Sequence, residues 1–381
     1  MKKVLKYIIY YLIKAVRKKA NRWVFGAWRG ELYADNAKYL FEYINKEYPN
    51  IETIWITRNP KVLEEIQKKG YRVYLKNSFY GFWYSITAKI AIVTEGTHDI
   101  GGMQIAGAKV IQLWHGMGIK DVVPKRNKNI SELDELLHAH KYEYWMTACE
   151  EASSKYSKAF DVPKEQMYIT GQPKDDTFVN SEKNEIVDYI REKHEDCKIV
   201  VYLPTHRKFG VHKQDDTLCY ETLVKVNERL EKRNIVMIFK PHAHEFKNYE
   251  GLDINMSNII FATDIRSFGD VYEFLPACDG MITDYSGIML GYLTSGKPMF
   301  YFPYDYEEYM SEDFGICYDY MEVTAGPICK TWDELINAME KTFACDTYKN
   351  KREQLRLRFS PYNDGRNCER VFAKIDEIAK C

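Results

Sequence analysis

Twelve short runs of apolar, β-branched and aromatic residues recur along the chain, and stretches with helical periodicity separate most of them. A β–α–β alternation of this kind predicts parallel sheets joined by crossover helices. The expected strands of the N-terminal half are Trp23–Trp28, Ile51–Thr57, Tyr71–Leu75, Ile90–Thr94, Val110–Trp114, Tyr144–Ala148 and Met167–Thr170. Those of the C-terminal half are Lys198–Leu203, Ile235–Lys240, Asn258–Phe261, Gly280–Thr283 and Pro298–Tyr301. We therefore expect an α/β fold.

The length of the chain suits two domains. It has 381 residues, of which 45% are hydrophobic, and this is too long for one compact core. A polar, charged helix begins near Ser181, and a second series of strands follows it. We expect an amphipathic helix over residues 1–22 and two Rossmann-like domains, over residues 23–180 and 181–381, that face a cleft. A C-terminal helix near Asn367–Ala379 can pack back on the first of them.

The N-terminal segment is basic. Residues 1–22 hold eight Lys or Arg and no acid, which leaves 46 basic against 55 acidic side chains elsewhere. On a helix the apolar residues share one side and most basic residues the other, as in helices that lie on an anionic membrane. An ordinary first helix packed on the fold has the same pattern, so both interpretations stay open. The residues expected at the membrane are Lys3, Lys6, Ile8, Ile9, Leu12, Lys14, Arg17 and Lys18.

Several classes of protein are disfavoured. The net charge of -1 gives no reason to expect nucleic acid as a partner. The nine cysteines are scattered and form no C-x-x-C pair, which argues against a disulfide framework and a zinc site. No D-x-D, Walker A or G-x-G-x-x-G motif occurs, so we expect neither a metal nor a cofactor. No run of about 20 apolar residues occurs that would form a membrane-spanning helix.

A histidine follows one of the predicted strands. His115 follows the strand Val110–Trp114, and Gly116 comes next. Glycine lets the backbone approach a ligand closely, and a histidine with a pKa near neutrality can take a proton from a hydroxyl group. A turn histidine with a satisfied hydrogen bond explains this motif equally well.

Two later strands end in cationic clusters. Thr205 and Arg207 follow one of them, and Lys240 and His242 follow the other. Hydroxyl, guanidinium and ammonium groups are suitable donors for a phosphate. An exposed cationic loop is the alternative for the first cluster and metal ligation by histidine for the second. We favour anion binding because no carboxylate pair or further His/Cys spacing supports a defined metal site.

A third strand end is rich in hydroxyl groups. The strand Gly280–Thr283 is followed by Asp284, and we expect a helix to start near Ser286. Backbone N–H groups at a helix start, with hydroxyl groups beside them, favour a phosphate. Capping of the helix by Asp284 or Ser286 is compatible with that function.

These motifs resemble the CDP-glycerol glycerophosphotransferase family of wall teichoic acid and capsule enzymes. The resemblance covers most of the chain, and the order of the motifs is more specific than any one of them. The motifs are Phe25-Gly26-Ala27-Trp28, Asp35-Asn36, Tyr39-Leu40-Phe41, Trp114-His115-Gly116, Pro204-Thr205-His206-Arg207, Lys240-Pro241-His242, Thr283-Asp284-Tyr285-Ser286, Lys297-Pro298 and Tyr304-Asp305.

The resemblance implies a GT-B-like fold, with the acceptor mainly at the first domain and CDP-glycerol mainly at the second. It implies transfer of glycerol phosphate to a hydroxyl of a cell-envelope glycan or a lipid-linked acceptor, with release of CMP. It also implies peripheral attachment to the cytoplasmic face of the cell membrane. We expect no cofactor, and the oligomeric state stays open.

The resemblance also assigns roles to residues. His115 would be the catalytic base, and His242 would bind the donor phosphate as the second catalytic residue. The expected donor-binding residues are Thr205, Arg207, Lys240, Thr283, Asp284 and Ser286. The expected acceptor-side residues are Glu95, Gly116 and Lys120.

Departures from the family pattern leave the donor open. His206 stands where an aromatic residue is usual, and Gly287 replaces a second serine. CDP-ribitol or another activated polyol phosphate is therefore an alternative donor. Two other functions stay open: a GT-B glycosyltransferase that uses a nucleotide sugar, and a non-catalytic scaffold at the membrane.

Overall fold

The computed structural model describes residues 2–120, 144–181, 183–207, 216–241, 256–262, 268–312 and 315–380. Its strands are β1 Lys19–Phe25, β2 Glu52–Thr57, β3 Val73–Leu75, β4 Ala88–Val93, β5 Lys109–Gln112, β6 Tyr144–Thr147, β7 Met167–Ile169, β8 Lys198–Leu203, β9 Ile235–Phe239, β10 Ile259–Phe261, β11 Gly280–Thr283 and β12 Met299–Tyr301. Each of the twelve predicted strands overlaps one of these. The predicted α/β fold with parallel sheets is therefore confirmed.

One helix precedes the first strand, and the others lie between and after the strands. The helices are α1 Lys2–Ala15, α2 Asp35–Glu47, α3 Pro60–Lys68, α4 Phe79–Ile86, α5 Glu150–Phe160, α6 Thr177–Asn180, α7 Glu185–Lys193, α8 Tyr220–Glu231, α9 Val271–Phe274, α10 Ile288–Tyr292, α11 Tyr306–Glu312, α12 Tyr320–Val323, α13 Trp332–Ala344, α14 Lys349–Phe359 and α15 Asn367–Lys380. Among the described residues, no helix is long and apolar enough to cross a membrane.

The chain divides into two compact units. The first comprises Met1–Gly116, Val122–Asp176 and Asp364–Cys381, and the second comprises Met117–Asp121 and Thr177–Asn363. The last helix therefore belongs to the first unit. There α15 packs Val371 and Phe372 into the core of the first sheet.

The first unit contains a seven-stranded sheet in the order β3-β2-β1-β4-β5-β6-β7, with every neighbouring pair parallel. Its strands are apolar along most of their length because both faces of the sheet are covered. The chain order reverses between β1 and β4. In open parallel sheets, ligands bind beyond the carboxyl ends of the strands at such a reversal.

The second unit contains a five-stranded parallel sheet in the order β10-β9-β8-β11-β12. Its core is a separate cluster, in which Tyr202, Phe300 and Trp332 pack together. The order of the strands reverses between β8 and β11. The motifs after β8 and β11 therefore start from neighbouring strands at the carboxyl edge of this sheet.

The N-terminal helix is shorter than the expected residues 1–22, because α1 ends at Ala15 and β1 begins at Lys19. Lys18 lies between α1 and β1 and fixes this part of the chain through hydrogen bonds. Its ammonium group donates to the carbonyl oxygens of Ile13, Ile86 and Ala106 at 3.3, 2.8 and 2.6 Å. Burial lowers the pKa of Lys18 to about 8. Lys18, expected at a membrane, thus makes its contacts inside the first unit.

Candidate functional site

His115 lies on a tight turn just after β5. Trp114 and Gly116 both have a positive φ, of 53° and 115°, which is unusual for the tryptophan. The His115 side chain is exposed. Its ring stacks on the ring of Trp114, with the centroids 4.4 Å apart, and lies 5.7 Å from the ring of Trp28. The turn therefore presents the imidazole at the carboxyl edge of the sheet against two aromatic rings.

Three buried or part-buried side chains hold this turn by its backbone. The carbonyl oxygens of residues 114, 115 and 116 each accept one hydrogen bond. The donors are Asn36 Nδ2 at 2.9 Å, Lys174 Nζ at 3.2 Å and the Tyr156 hydroxyl at 2.7 Å, respectively. We call Asn36, Tyr156 and Lys174 the turn clamp. Each consecutive carbonyl of the turn is fixed by a different element of the first unit.

The turn clamp contains a buried charge. Lys174 is only 3% exposed. Its ammonium group donates to Gln172 Oε1 at 2.7 Å and lies 3.7 Å from Asp35 Oδ1. Asp175, the next residue, is also buried, and its Oδ1 has no hydrogen-bond partner among the described residues. Burial raises the pKa of Asp175 to about 6.

The surroundings of His115 favour its neutral form. The pKa of His115 is lowered, first by partial loss of hydration and then by the positive charge of Lys174. The carboxylates of Asp35, Glu95 and Asp99 act in the opposite direction. Because His115 stays accessible to solvent, its loss of hydration is incomplete. A neutral imidazole near pH 7 can accept a proton.

Glu95, His98 and Asp99 form a group whose ligand atoms lie within 4.8 Å of one another. The carboxylate of Asp99 already accepts hydrogen bonds from the backbone N–H groups of residues 29 and 94–96. Glu95 Oε2 lies 3.7 Å from His98 Nε2 and accepts from Arg29 Nε at 3.2 Å. These contacts account for the grouping without an ion, and the expected absence of a metal stays a prediction.

In the second unit the ends of β8, β11 and β12 share a buried network around Arg207. Arg207 Nε donates to Asp305 Oδ2 at 2.6 Å, and Nη2 donates to Asp284 Oδ2 at 2.8 Å. Its Nη1 donates to the carbonyl oxygen of Thr205. The Tyr285 hydroxyl donates to Asp305 Oδ1 at 2.9 Å. We call Arg207, Asp284 and Asp305 the strand-end network.

The predicted hydroxyl groups join the same region. Thr205 donates its backbone N–H and its hydroxyl group to Asp284 Oδ1, at 3.0 and 2.5 Å. The hydroxyl of Thr283 donates to the carbonyl oxygen of Leu203 at 3.0 Å. The structure therefore brings four of the predicted donor-binding residues together, Thr205, Arg207, Thr283 and Asp284. Their side chains bond mainly to one another and to the backbone.

The other residues predicted to bind the donor in the second unit are Lys240, Ser286 and His242. Lys240 follows β9, and desolvation lowers its pKa. Ser286 is half-buried, but α10 begins only at Ile288 and has five residues, so the helix expected at Ser286 starts later and is short. His242 lies outside the described residues.

The three residues expected on the acceptor side do not fall in one unit. Glu95 and Gly116 belong to the first unit, and Lys120 belongs to the second. There Lys120 forms an antiparallel bridge with Ile316, and its ammonium group lies 5.3 Å from the centre of the Tyr309 ring.

Sequence reasoning did not predict the partners of these groups as site residues. The missed residues are Asp35, Asn36, Tyr156, Gln172, Lys174 and Asp305. A signal existed for Lys174, because it opens the charged run Lys174-Asp175-Asp176 just after the end of β7. Asp35, Asn36 and Asp305 lie in motifs of the family resemblance but had no role assigned.

The fold is α/β with two parallel sheets, and the candidate site residues follow the ends of their strands. The family model of CDP-glycerol:poly(glycerophosphate) glycerophosphotransferase matches residues 8–377. The chain therefore belongs to this family. The expected class of enzyme, a CDP-glycerol glycerophosphotransferase, is confirmed at the level of the family.

Curated relatives agree with this assignment. The chain is 25% identical over 335 residues to a teichoic acid poly(glycerol phosphate) polymerase of Staphylococcus epidermidis. That match covers 80% of the chain but 43% of the polymerase, so the chain spans less than half of that relative. It is 24% identical to a teichoic acid ribitol-phosphate primase of Bacillus spizizenii, over 91% of the chain and 89% of the primase.

A solved structure shows the same fold. The wall teichoic acid polymerase TagF superimposes with a TM-score of 0.80 at 23% identity, over 99% of this chain and 94% of the TagF chain. At this identity the likeness supports the fold alone.

Proposed function

We propose that this chain transfers glycerol phosphate, or a related polyol phosphate, from a CDP-activated donor to a hydroxyl of a cell-envelope glycan or lipid-linked acceptor. The observation that carries the proposal is the His115 turn. An exposed imidazole, with surroundings that favour its neutral form, stands on a backbone whose three carbonyls are individually fixed. Such a group is suited to accept a proton from a substrate hydroxyl.

In the proposed reaction, His115 takes the proton from the acceptor hydroxyl as its oxygen attacks the donor phosphorus that bears glycerol. A new phosphorus–oxygen bond forms to the acceptor, and the bond from that phosphorus to the oxygen of CMP breaks. CMP leaves with the bonding electrons. The geometry requires no covalent enzyme intermediate, and the main contributions are positioning and electrostatic stabilisation.

We propose that the donor diphosphate binds at the carboxyl edge of the second sheet. Lys240, Ser286 and His242 would contact it. Arg207 and Asp284 already use most of their hydrogen-bonding groups within the strand-end network, so their role would be to order the loops that form the site. Thr205 and Thr283 would serve the same purpose through their hydroxyl groups.

The two units correspond, in this proposal, to the two Rossmann-like domains of a GT-B-like fold that face a cleft. Each has its own parallel sheet and its own reversal of strand order. The acceptor would bind mainly to the unit with His115 and the donor mainly to the other. The alternative donor, CDP-ribitol, remains within the proposal because a related ribitol-phosphate primase matches most of the chain.

We further propose that the first unit binds the anionic surface of the cell membrane from the cytoplasmic side, where a lipid-linked acceptor is available. Helix α1 divides its apolar residues between two sides. Ile9, Ile13 and Val16 pack near Ile86 and Ala106. The exposed apolar residues of α1 are Val4, Leu5, Ile8, Tyr11 and Leu12.

Helix α4 adds a second exposed apolar surface to the same unit. Its exposed aromatic residues are Phe79, Tyr80, Phe82 and Trp83, with Phe79 76% exposed. The last residue of α4, Ile86, packs against α1. Exposed aromatic clusters of this kind suit the headgroup boundary of a bilayer. The basic residues Lys6 and Lys14 are exposed on α1 and would add attraction to anionic lipid.

The test of the proposed reaction is a donor panel. CDP-glycerol, CDP-ribitol, and UDP- and GDP-sugars are each incubated with the full chain and a lipid-linked glycan acceptor, and nucleotide release is measured. We expect CMP from a CDP-polyol and no release from the nucleotide sugars. Release from a nucleotide sugar alone would make the chain a glycosyltransferase. Binding of a CDP-polyol without release on any acceptor would favour the scaffold.

A further inference from the structure

The role of Lys174 is not explained by the family assignment or by the mechanism above. Lys174 is a lysine almost without solvent contact, in a short 3-10 helix, Pro173–Asp176, that the sequence marks only as a charged run after β7. A buried ammonium group loses much hydration energy, so its retention requires specific compensating contacts. Its partners here are Asp35, Gln172 and the carbonyl oxygen of His115.

We propose that Lys174 is a positioning residue for His115: it holds the turn by the His115 carbonyl and supplies a buried positive charge beside the imidazole. The inference rests on the proposed role of His115 as the base. Gly116 shows how closely the two are packed. A Cβ atom at Gly116 would lie 2.9 Å from Lys174 Nζ, so the ammonium group occupies the space under the turn.

The other two members of the turn clamp, Asn36 and Tyr156, also fix the position of the turn. Asn36 bonds to the carbonyl oxygen of Trp114 and also accepts the backbone N–H of Lys174 at 3.3 Å. Tyr156 bonds to the carbonyl oxygen of Gly116 and is 1% exposed. Lys174 and Asn36 thus each contact both the turn and one another. Loss of the Lys174 ammonium group removes the central of three anchors.

Lys174 also differs from the rest of the turn clamp in its charge. The charged groups around His115 are Asp35 from the start of α2, Glu95 and Asp99 from the segment after β4, and Lys174 itself. The three carboxylates favour the imidazolium, and Lys174 opposes them. Without Lys174 the balance would shift towards a protonated imidazole, which cannot act as a base.

The experiment compares the wild type with Lys174→Met and with Lys38→Met. Lys38 is a matched control, because it is a 2% exposed lysine of α2 in the same unit whose ammonium group lies over the rings of Tyr33 and Tyr39. The first readout is the pKa of His115, from an NMR titration of histidine-labelled protein assigned with His115→Asn. The pKa of His115 can be measured without turnover, so it tests the proposed role of Lys174 even if no donor in the panel releases CMP.

We expect Lys174→Met to raise the pKa of His115 and Lys38→Met to leave it unchanged. In CMP release, we expect kcat to fall on the order of 100-fold in Lys174→Met, with the KM for the donor within about threefold of the wild type. The acidic limb of the pH–rate profile should move to higher pH. Lys174→Arg, which keeps the charge, should restore the wild-type position of that limb.

Tyr156→Phe provides a second arm in case Lys174→Met does not fold. It removes one hydroxyl anchor and no charge, and we expect kcat to fall about tenfold without any change in the pKa of His115. A folded Lys174→Met with the wild-type His115 pKa and wild-type kcat would overturn the proposal. Equal losses of kcat in Lys174→Met and Lys38→Met, with an unchanged His115 pKa, would also overturn it.

Discussion

The buried charged side chains near His115 differ in how well neighbouring groups compensate their charge. Lys174 has Asp35 within 3.7 Å, whereas Asp175 has an oxygen with no partner among the described residues. A carboxylate buried without hydrogen bonds destabilises the folded state when it is ionised. The same unit thus contains one compensated and one poorly compensated buried charge, next to each other in sequence.

The pH dependence of stability should reveal Asp175. Its pKa is raised by burial from 3.8 to about 6. Between these values the folded protein binds more protons than the unfolded chain, so this group lowers stability as pH rises from about 4 to about 6. We expect Asp175→Asn to raise the free energy of unfolding by about 2–3 kcal/mol at pH 7.5 and to have little effect at pH 4. Urea unfolding at both values measures this, and destabilisation at pH 7.5 would contradict it.

Asp305 should matter for stability and for the donor. It is a buried partner of Arg207 and Tyr285. We expect Asp305→Asn to lower the free energy of unfolding by about 3 kcal/mol, because it leaves a buried guanidinium with fewer partners. We also expect a higher KM for the donor, because the loops after β8 and β12 lose their common anchor.

The control for Asp305 is Asp364→Asn. Asp364 also pairs with an arginine, Arg370, but its side chain is 48% exposed. The expected loss of stability is below about 1 kcal/mol. Equal losses in the two variants would contradict the assigned importance of the strand-end network.

The sequence identified candidate site residues at the ends of strands, but it did not identify the side chains that contact them. His115 and Asp284 stand directly after predicted strands and Arg207 stands four residues after one, so their positions at strand ends identified them. Their partners Lys174 and Asp305 come from other strand ends, and only the order of strands in the sheet brings them close. The sequence also suggested that Arg207 faces a phosphate, whereas its hydrogen bonds run to Asp305 and Asp284.

At the scale of elements, some helix boundaries differ from the predicted ones because tertiary contacts override the local periodicity of the sequence. Lys18 bonds to three carbonyls and separates α1 from β1, although the helical pattern of charge continues beyond Ala15. The helix expected at Ser286 begins at Ile288. The residues expected at the membrane included Ile9 but not Ile13, whereas both pack near Ile86 and Ala106. Leu12, also expected at the membrane, stays exposed.

The exposed residues of α1 lead to a test of membrane binding. We expect the wild type to co-sediment with vesicles that contain phosphatidylglycerol and less with pure phosphatidylcholine. Leu5→Glu with Leu12→Glu should weaken this binding at least tenfold, because two exposed apolar side chains can no longer be buried in lipid. Phe79→Ser with Trp83→Ser should have a similar effect.

A matched control is Leu357→Glu. Leu357 is 59% exposed on α14 of the second unit, so it resembles Leu5 in exposure but lies on neither α1 nor α4. Its variant should bind vesicles as the wild type does. Equal binding by all variants would rule out α1 and α4 as the membrane-binding surface.

At the scale of the whole molecule, two parallel sheets each reverse their strand order, and the candidate site residues follow the strands at or beside each reversal. The βα alternation of the sequence is sufficient to predict two such sheets. It does not specify the order of strands, because pairing depends on contacts between residues distant in sequence. The sequence analysis allowed the C-terminal helix to pack back on the first domain, and α15 does pack into the core of the first sheet.

The most direct test of the central claim is mass analysis of a lipid-linked acceptor after incubation with CDP-glycerol, for the wild type and His115→Ala. We predict that the wild type adds glycerol phosphate to the acceptor and releases an equal amount of CMP. We predict that His115→Ala, folded as judged by its thermal unfolding, is slower by about 10²- to 10⁴-fold. Transfer by His115→Ala at the wild-type rate, or CMP release without addition of glycerol phosphate to the acceptor, would contradict the account.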